Sequence, residues 1–342
     1  MFDKIQQHCY TRSKRGLFSQ SAGYDTVARS AGLTEDFIKS RLHPFCYYHP
    51  SKTLQALRVP AEEFPRALTV IQFPEGLMLL GQTVYVNSDF TGQRPTFFTH
   101  NYILPRPAVL TPGLIGTMLN FTVFLTETDW EKLTELEELP RHFDQTCRTE
   151  THTTEQNDCQ SVTEGCPPQP GTTCTNIGPL PFDEGRLRQL VYGVLEAIMG
   201  TKKVYVILPD LEWVYPMLMW LYSHLPASAA QILGFTTYSR EPENKKFLHL
   251  VFVEKGILSL TDSQITRDYV FDFDSGLFSE SLPEVTEEIL QGQIEEFILK
   301  FAMKTEIKDK EELEYGFDKN KNKNKKLGPS TLIKIIKRLL KL

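Results

Sequence analysis

Three side chains able to do acid–base or anion chemistry fall within twelve positions of this 342-residue chain: Asp89, Arg94 and His100, in the stretch DFTGQRPTFFTHNYIL at 89–104. A guanidinium and a carboxylate brought to an imidazole could bind an anion or move a proton, because histidine titrates closest to neutral pH. Gly92 and Pro95 mark DFTGQRP as a turn, and the β-branched and aromatic residues that follow mark TFFTHNYIL as a strand. On a strand Phe98, His100, Tyr102 and Leu104 share one face, which makes His100 the polar member of an apolar stripe. Two roles stay open for it: a hydrogen-bonded core histidine, or the base of a polar site towards which Asp89 and Arg94 fold.

Other nucleophiles and bases are spread along the chain: Cys9, Cys46, Ser30 and Ser88, with His8, His43 and His49. A Cys–His or Ser–His pair requires adjacency in space, and Ser30 lies in no nucleophile-elbow pattern. Cys46 sits in HPFCYYHP, where the aromatic neighbours suit a buried, inert thiol as well as a reactive one. Phosphate cradles are absent as motifs: no G-x-x-x-x-G-K-[ST] occurs, and no G-x-G-x-x-G follows a strand. No cofactor is therefore expected. Cys147, Cys159, Cys166 and Cys174, near His152, raise a zinc alternative. Structural zinc sites use close C-x₂₋₄-C pairs, and none of these gaps is that short, so a thiol-bearing loop without metal is the expectation. At the C-terminus, PSTLIKIIKRLLKL puts Leu332, Ile335, Ile336 and Leu339 on one helical face and Lys334, Lys337, Arg338 and Lys341 on the other. That face is expected to bind a protein partner; the start of a further helical domain and an interfacial membrane helix are the alternatives.

The elements that must position these residues are expected to make an α+β fold. IQQHCY and YDTVARS read as extended segments. Thr34 caps a short helix with Glu35 and Asp36 in its first turn, ended by Pro44. ALTVIQF, GLMLLG, QTVYVN and TFFTHNYIL, separated by Pro74, Gly76, Gly81 and the turn, read as an antiparallel meander. Leu133, Leu136 and Leu139 give a short helix over Trp130–Leu139. Residues 144–180 are polar and rich in Thr, Pro and Gly, a disordered insertion. Beyond it, Asp183 caps a helix that ends at Gly200. KVYVIL is a buried strand, VYPMLMWLYSHLP a buried helix, and ILGFTTYS and KFLHLVFVE are strands. Ser281 and Glu284 form a capping box for a helix running to about Lys304. The expected organisation is an N-terminal antiparallel β-rich unit (1–143), the insertion (144–180), a mixed α/β unit (181–304), and a charged linker with the basic helix (305–342).

Bulk properties narrow the function classes. With 41% apolar and 23% charged residues the chain can pack a core, and a net charge of −6 gives it no basic excess for a phosphate backbone. Nucleic acid is not expected as a partner. The N-terminus lacks an apolar secretion signal, and no run of about eighteen apolar residues is found, so a cytoplasmic protein without a transmembrane segment is expected.

Two stretches together carry a resemblance. GYDTVARSAGLT at 23–34 and SDFTGQRPTFFTHNYIL at 88–104 resemble the N-terminal domain, of the second sequence type, of the bacterial GTPase-associated protein family. In that family an early GY-x-x-VA-x-S segment precedes one with an Asp, a Gly-Arg and a His ending in an aliphatic pair. Asp89, Arg94 and His100 are the matching positions, although Gln93 here separates Gly92 from Arg94. LPASAAQILGFTTYS at 225–239 is similar to a later segment. The resemblance implies an accessory or adaptor component of a bacterial conflict or defence system, with a GTPase encoded nearby as the protein partner. The alternative is a hydrolase or nucleotide-processing enzyme using His100 with Arg94 and Asp89 or a nearby cysteine.

Overall fold

The computed structural model describes residues 4–106, 111–120, 124–125, 135–138, 179–241, 245–258, 267–279 and 281–316, with side chains described as far as 303. Cys147, Cys159, Cys166 and Cys174, and the basic face of Lys334, Lys337, Arg338 and Lys341, lie outside the described residues. Two compact units divide the chain, Met1–Glu284 and Val285–Leu342.

In the first unit the strands are β1 (Gln6–Ser13), β2 (Gly23–Ser30), β3 (Ala67–Gln72), β4 (Leu77–Val86), β5 (Thr96–Pro105), β6 (Glu135–Leu136), β7 (Val204–Ile207), β8 (Phe235–Ser239), β9 (Leu250–Val253), β10 (Tyr269–Asp272) and β11 (Leu277–Phe278). They form one sheet ordered β11-β10-β7-β9-β8-β3-β4-β5-β1-β2-β6. The N-terminal part is β-rich and antiparallel, with β3, β4, β5, β1 and β2 pairing in turn. The later part is mixed α/β: β8, β9, β7 and β10 pair in parallel, and the antiparallel contact of β3 with β8 joins the two.

Helices α1 (Glu35–Phe37), α2 (Lys52–Leu57), α3 (Pro112–Leu119), α4 (Glu184–Met199), α5 (Val214–His224) and α6 (Ala227–Ala230) belong to this unit. The Asp183 carboxylate accepts the N–H of Arg186, so α4 starts at the expected cap, and it ends at Gly200. Leu33, Ile38, Leu42 and Phe45 cover one sheet face by packing with Ile71, Phe73, Leu79, Ile103, Tyr205 and Val251. Alternation along the strands places these residues on a common side.

Four local expectations are corrected. Gly81 does not separate two strands; it lies inside β4, opposite Asn101 of β5. A Cβ at position 81 would fall 2.1 Å from the Asn101 side-chain oxygen, so the glycine serves close approach rather than a turn. The helix after Thr34 does not run as one α-helix to Pro44: α1 continues as a π turn at Ile38–Leu42 and a 3₁₀ turn at His43–Phe45. Glu135–Leu136, expected within a helix, pairs in parallel with β2 as β6, because the sheet edge offers these residues hydrogen bonds that a short isolated helix lacks.

The last correction lies in the second unit. There α7 (Glu287–Gly316) begins at Thr286, whose hydroxyl accepts the Ile289 N–H, and not at Ser281; it also continues past Lys304. Pro283 disfavours helical backbone at Leu282, which the Ser281 cap would have required as its first helical residue.

Candidate functional site

Strand alternation in β5 sends His100 and Asn101 to opposite sheet faces. His100 is fully buried. Its Nδ1 accepts the backbone N–H of Leu125 at 2.9 Å, so Nε2 carries the proton and donates to Gln7 Oε1 at 3.1 Å. The Gln7 amide donates in turn to the Glu137 carbonyl at 2.8 Å. Tyr102 packs on the ring, with centroids 4.5 Å apart. Burial pushes the His100 pKa down to about 3, which keeps the imidazole neutral.

Asp89 is turned the other way. Its carboxylate accepts the Thr91 hydroxyl and the Thr91 N–H and pairs with Arg12 Nε at 2.9 Å. The Thr91 hydroxyl foremost, with its N–H and Arg12, holds the carboxyl pKa below the usual range. Arg94 is exposed on the same turn. Asp89, Arg94 and His100 therefore do not converge: the histidine closes a core hydrogen-bond chain, the aspartate fastens a turn, and the arginine faces solvent.

The polar chain that does form lies on the other face and joins residues from four segments. Asn101 Nδ2 donates to His8 Nδ1 at 3.1 Å and to Cys46 Sγ at 3.3 Å. His8 Nε2 is 2.9 Å from the Thr26 hydroxyl, which lies 2.9 Å from His43 Nε2. With Asn101 donating, His8 gives its Nε2 proton to Thr26, and Thr26 gives its own to His43; the chain is closed with both imidazoles neutral. Burial, then the nearby His43 and His100, lowers the His8 pKa well below the ordinary value. His43, half-buried, is lowered chiefly by burial, with Asp25 opposing. Cys46 is buried, donates to the Leu42 carbonyl, and has its pKa pushed up to about 12 by burial, so it is an inert thiol at neutral pH. Cys9 is buried as well. Ser30 accepts the Gln7 N–H at 2.9 Å inside the sheet, and Ser88 is exposed.

Above this chain lies an aromatic surface. Tyr24 stacks on Phe97 with centroids 4.6 Å apart and planes at 13°, Tyr10 stacks on Tyr24, and Tyr47 leans on Phe97 at 6.1 Å. Tyr24 is 40% and Tyr47 55% exposed. Each has a cation over its ring, Arg12 over Tyr24 at 6.0 Å and Lys245 over Tyr47 at 5.7 Å. A cleft lined by Tyr47, Tyr48, His49, Thr236, Tyr238 and Lys245 opens beside Tyr47. It offers about 20 Å³ to water-sized occupants, the scale of a single water, so it is not a ready-made nucleotide pocket.

Sequence reasoning identified His8, His43 and Cys46 as single candidates but missed Thr26, Asn101 and the tyrosines. The missing signal was pairing: β1 sets His8 beside Asn101 and Tyr10 beside Thr26, and register across strands is not readable from one strand alone.

Residues 4–142 match the family model for the N-terminal domain, type 2, of GTPase-associated protein 1. Residues 174–275 match the model for the middle domain of the same protein. No curated protein aligns significantly with the chain.

Proposed function

The chain belongs to the GTPase-associated protein 1 family, and from that premise we propose that it is an accessory, adaptor-like component of a bacterial GTPase-centred conflict or defence system. It works in the cytoplasm through protein–protein contact with a GTPase encoded nearby. The observation that carries the contact reading is the surface of Tyr24 and Tyr47, both exposed, both resting on Phe97 and both flanked by a cation. Tyrosine and arginine are the residues over-represented where binding energy concentrates, because they bury much area with few rotatable bonds. The polar chain beneath gives this surface a fixed floor: His43 packs on Tyr10 at 4.9 Å, and Tyr10 on Tyr24. No helix among the described residues is long and apolar enough to cross a membrane. A hydrolase centred on His100 receives no support from the geometry, since both ring nitrogens are already hydrogen-bonded inside the core.

The test is a binding titration of the full chain against the purified GTPase encoded beside it. A complex is expected, weakened roughly 30-fold by Tyr24→Ala or Tyr47→Ala if these are hot-spot residues worth about 2 kcal/mol. Absence of any complex would overturn the reading, and unchanged affinity in both variants would remove this surface from it.

A further inference from the structure

The turn between β4 and β5 is fastened at almost every position, and the fastening leaves one guanidinium uncommitted. The Asp89 N–H donates to the Arg94 carbonyl at 2.7 Å, and the Gly92 N–H to the Asp89 carbonyl at 2.8 Å. Gly92 takes φ +72°, a left-handed conformation that costs glycine little. The Asp89 carboxylate holds Thr91 from inside the turn. Pro95 then fixes the backbone into β5, where the Thr96 hydroxyl donates to the Tyr24 hydroxyl at 3.1 Å. Asp89 is the carboxylate closest in sequence to Arg94, but Arg12 occupies it. The exposed Arg94 side chain consequently makes no hydrogen bond or ion pair among the described residues, while its backbone is held at both ends. Phe90, 37% exposed, and Tyr24 stand beside this turn.

An acidic protein that spends one arginine to keep another away from a carboxylate presents a planar, permanently charged group on a rigid mount. Such a group suits an oxyanion that arrives from outside, above all the spread charge of a phosphoryl group in transfer. The chain has no phosphate cradle of its own, so the nucleotide must come with the partner.

We propose that Arg94 acts in trans on GTP held by the partner GTPase, stabilising the charge on the γ-phosphoryl oxygens as hydrolysis proceeds. The inference rests on the reading that the partner is a GTPase, and it adds that the contact accelerates turnover. In the step assisted, water attacks the γ-phosphorus and the bond to the β–γ bridging oxygen breaks. GDP leaves with that electron pair, and the protons of the water pass to inorganic phosphate and the medium. Arg94 donates hydrogen bonds throughout and is unchanged. Docking on Tyr24 would set the depth to which Arg94 reaches, because the Thr96–Tyr24 hydrogen bond joins the turn to the aromatic surface.

The experiment is single-turnover hydrolysis of GTP by the GTPase encoded beside this chain, with saturating full-length chain in wild-type, Arg94→Ala and Arg94→Lys forms. Wild type is expected to accelerate hydrolysis by about 10³-fold or more, the range known for arginines supplied in this way. Arg94→Ala loses that acceleration, and Arg94→Lys loses most of it, because a point charge cannot bridge two oxygens in a plane. Both variants keep wild-type affinity for the GDP-bound partner. As a second readout, GDP with aluminium fluoride tightens the complex of wild type and not that of Arg94→Ala. Acceleration retained in Arg94→Ala, or a complex with no acceleration by wild type, overturns the role of Arg94 and leaves the adaptor reading standing. Absence of any complex overturns both.

Discussion

The two halves of the sheet solve burial in opposite ways. In the parallel part, β7, β9 and β10 are VYVI, LVFV and YVFD, with nearly every residue buried and almost no polar side chain among them. In the antiparallel part, β1, β2 and β5 bury His8, Thr26, Thr99, His100 and Asn101 at least as completely. Parallel strands are covered on both faces, and apolar residues fill that space at no polar cost. The antiparallel part keeps its polar groups by linking them: Asn101 to His8, His8 to Thr26, Thr26 to His43, and His100 to Gln7 and Leu125. An unpaired buried donor or acceptor costs about 1–3 kcal/mol, so such groups are tolerated as linked sets rather than singly. Even Lys203, the cation at the entrance to β7, follows the rule on the apolar side; its ammonium donates to the carbonyls of Lys245 and Leu248, and burial lowers its pKa. The aromatic surface and Arg94 both stand on the linked half.

The contrast predicts that the apolar half fails by cavity formation. Phe271 is fully buried in β10 beside Gly193 of α4, and Phe271→Ala should cost about 3–5 kcal/mol. Equilibrium denaturation checks it; a loss under about 1 kcal/mol would mean that this core is loosely packed and the contrast misdrawn. The linked half should fail by displacement. Gly81→Ala would push its Cβ against the Asn101 amide, which is committed to His8 and Cys46, and should cost about 1–3 kcal/mol; a neutral result in the same measurement would show slack in the polar chain.

The finest test is pH. The His100 pKa is about 3 when folded against 6.5 for a free histidine, and that of His8 is lowered too. Between those limits the unfolded chain binds more protons than the folded one. Stability is therefore complete above about pH 6.5 and falls as pH drops towards 3, by up to about 1.4 kcal/mol per unit for each such histidine. Denaturation midpoints collected from pH 7 to pH 4 should show this slope, shallower in His100→Gln. A flat profile for the wild type would show that these histidines are not held neutral.

Where sequence and structure agree, a local signal was enough. Asp183 begins α4 and Gly200 ends it, VYPMLMWLYSHLP is a helix with Pro216 in its first turn, and KVYVIL is a buried strand, because caps, periodicity and β-branched runs act over a few residues. Disagreement came where a distant partner overrode the local signal. Gly81 reads as a break until Asn101 is known to lie across from it, and Glu135–Leu136 reads as helix until β2 offers an edge. The same holds for the candidate site: Asp89, Arg94 and His100 are neighbours in sequence, but the turn and the pleat point them in three directions.

By itself the sequence determined the family, the α+β class, the principal helices and the turn at 89–95, all of which follow from residue type and short spacing. It also supplied the histidines, tyrosines and arginines without saying which would meet. Only the tertiary structure decided that His8, Thr26, His43 and Asn101 form one chain, that His100 serves the core, and that Arg12 takes Asp89 and leaves Arg94 outward. Those outcomes depend on strand register and sheet face, and a side chain's neighbours across a sheet are set by pairing between segments far apart in the chain.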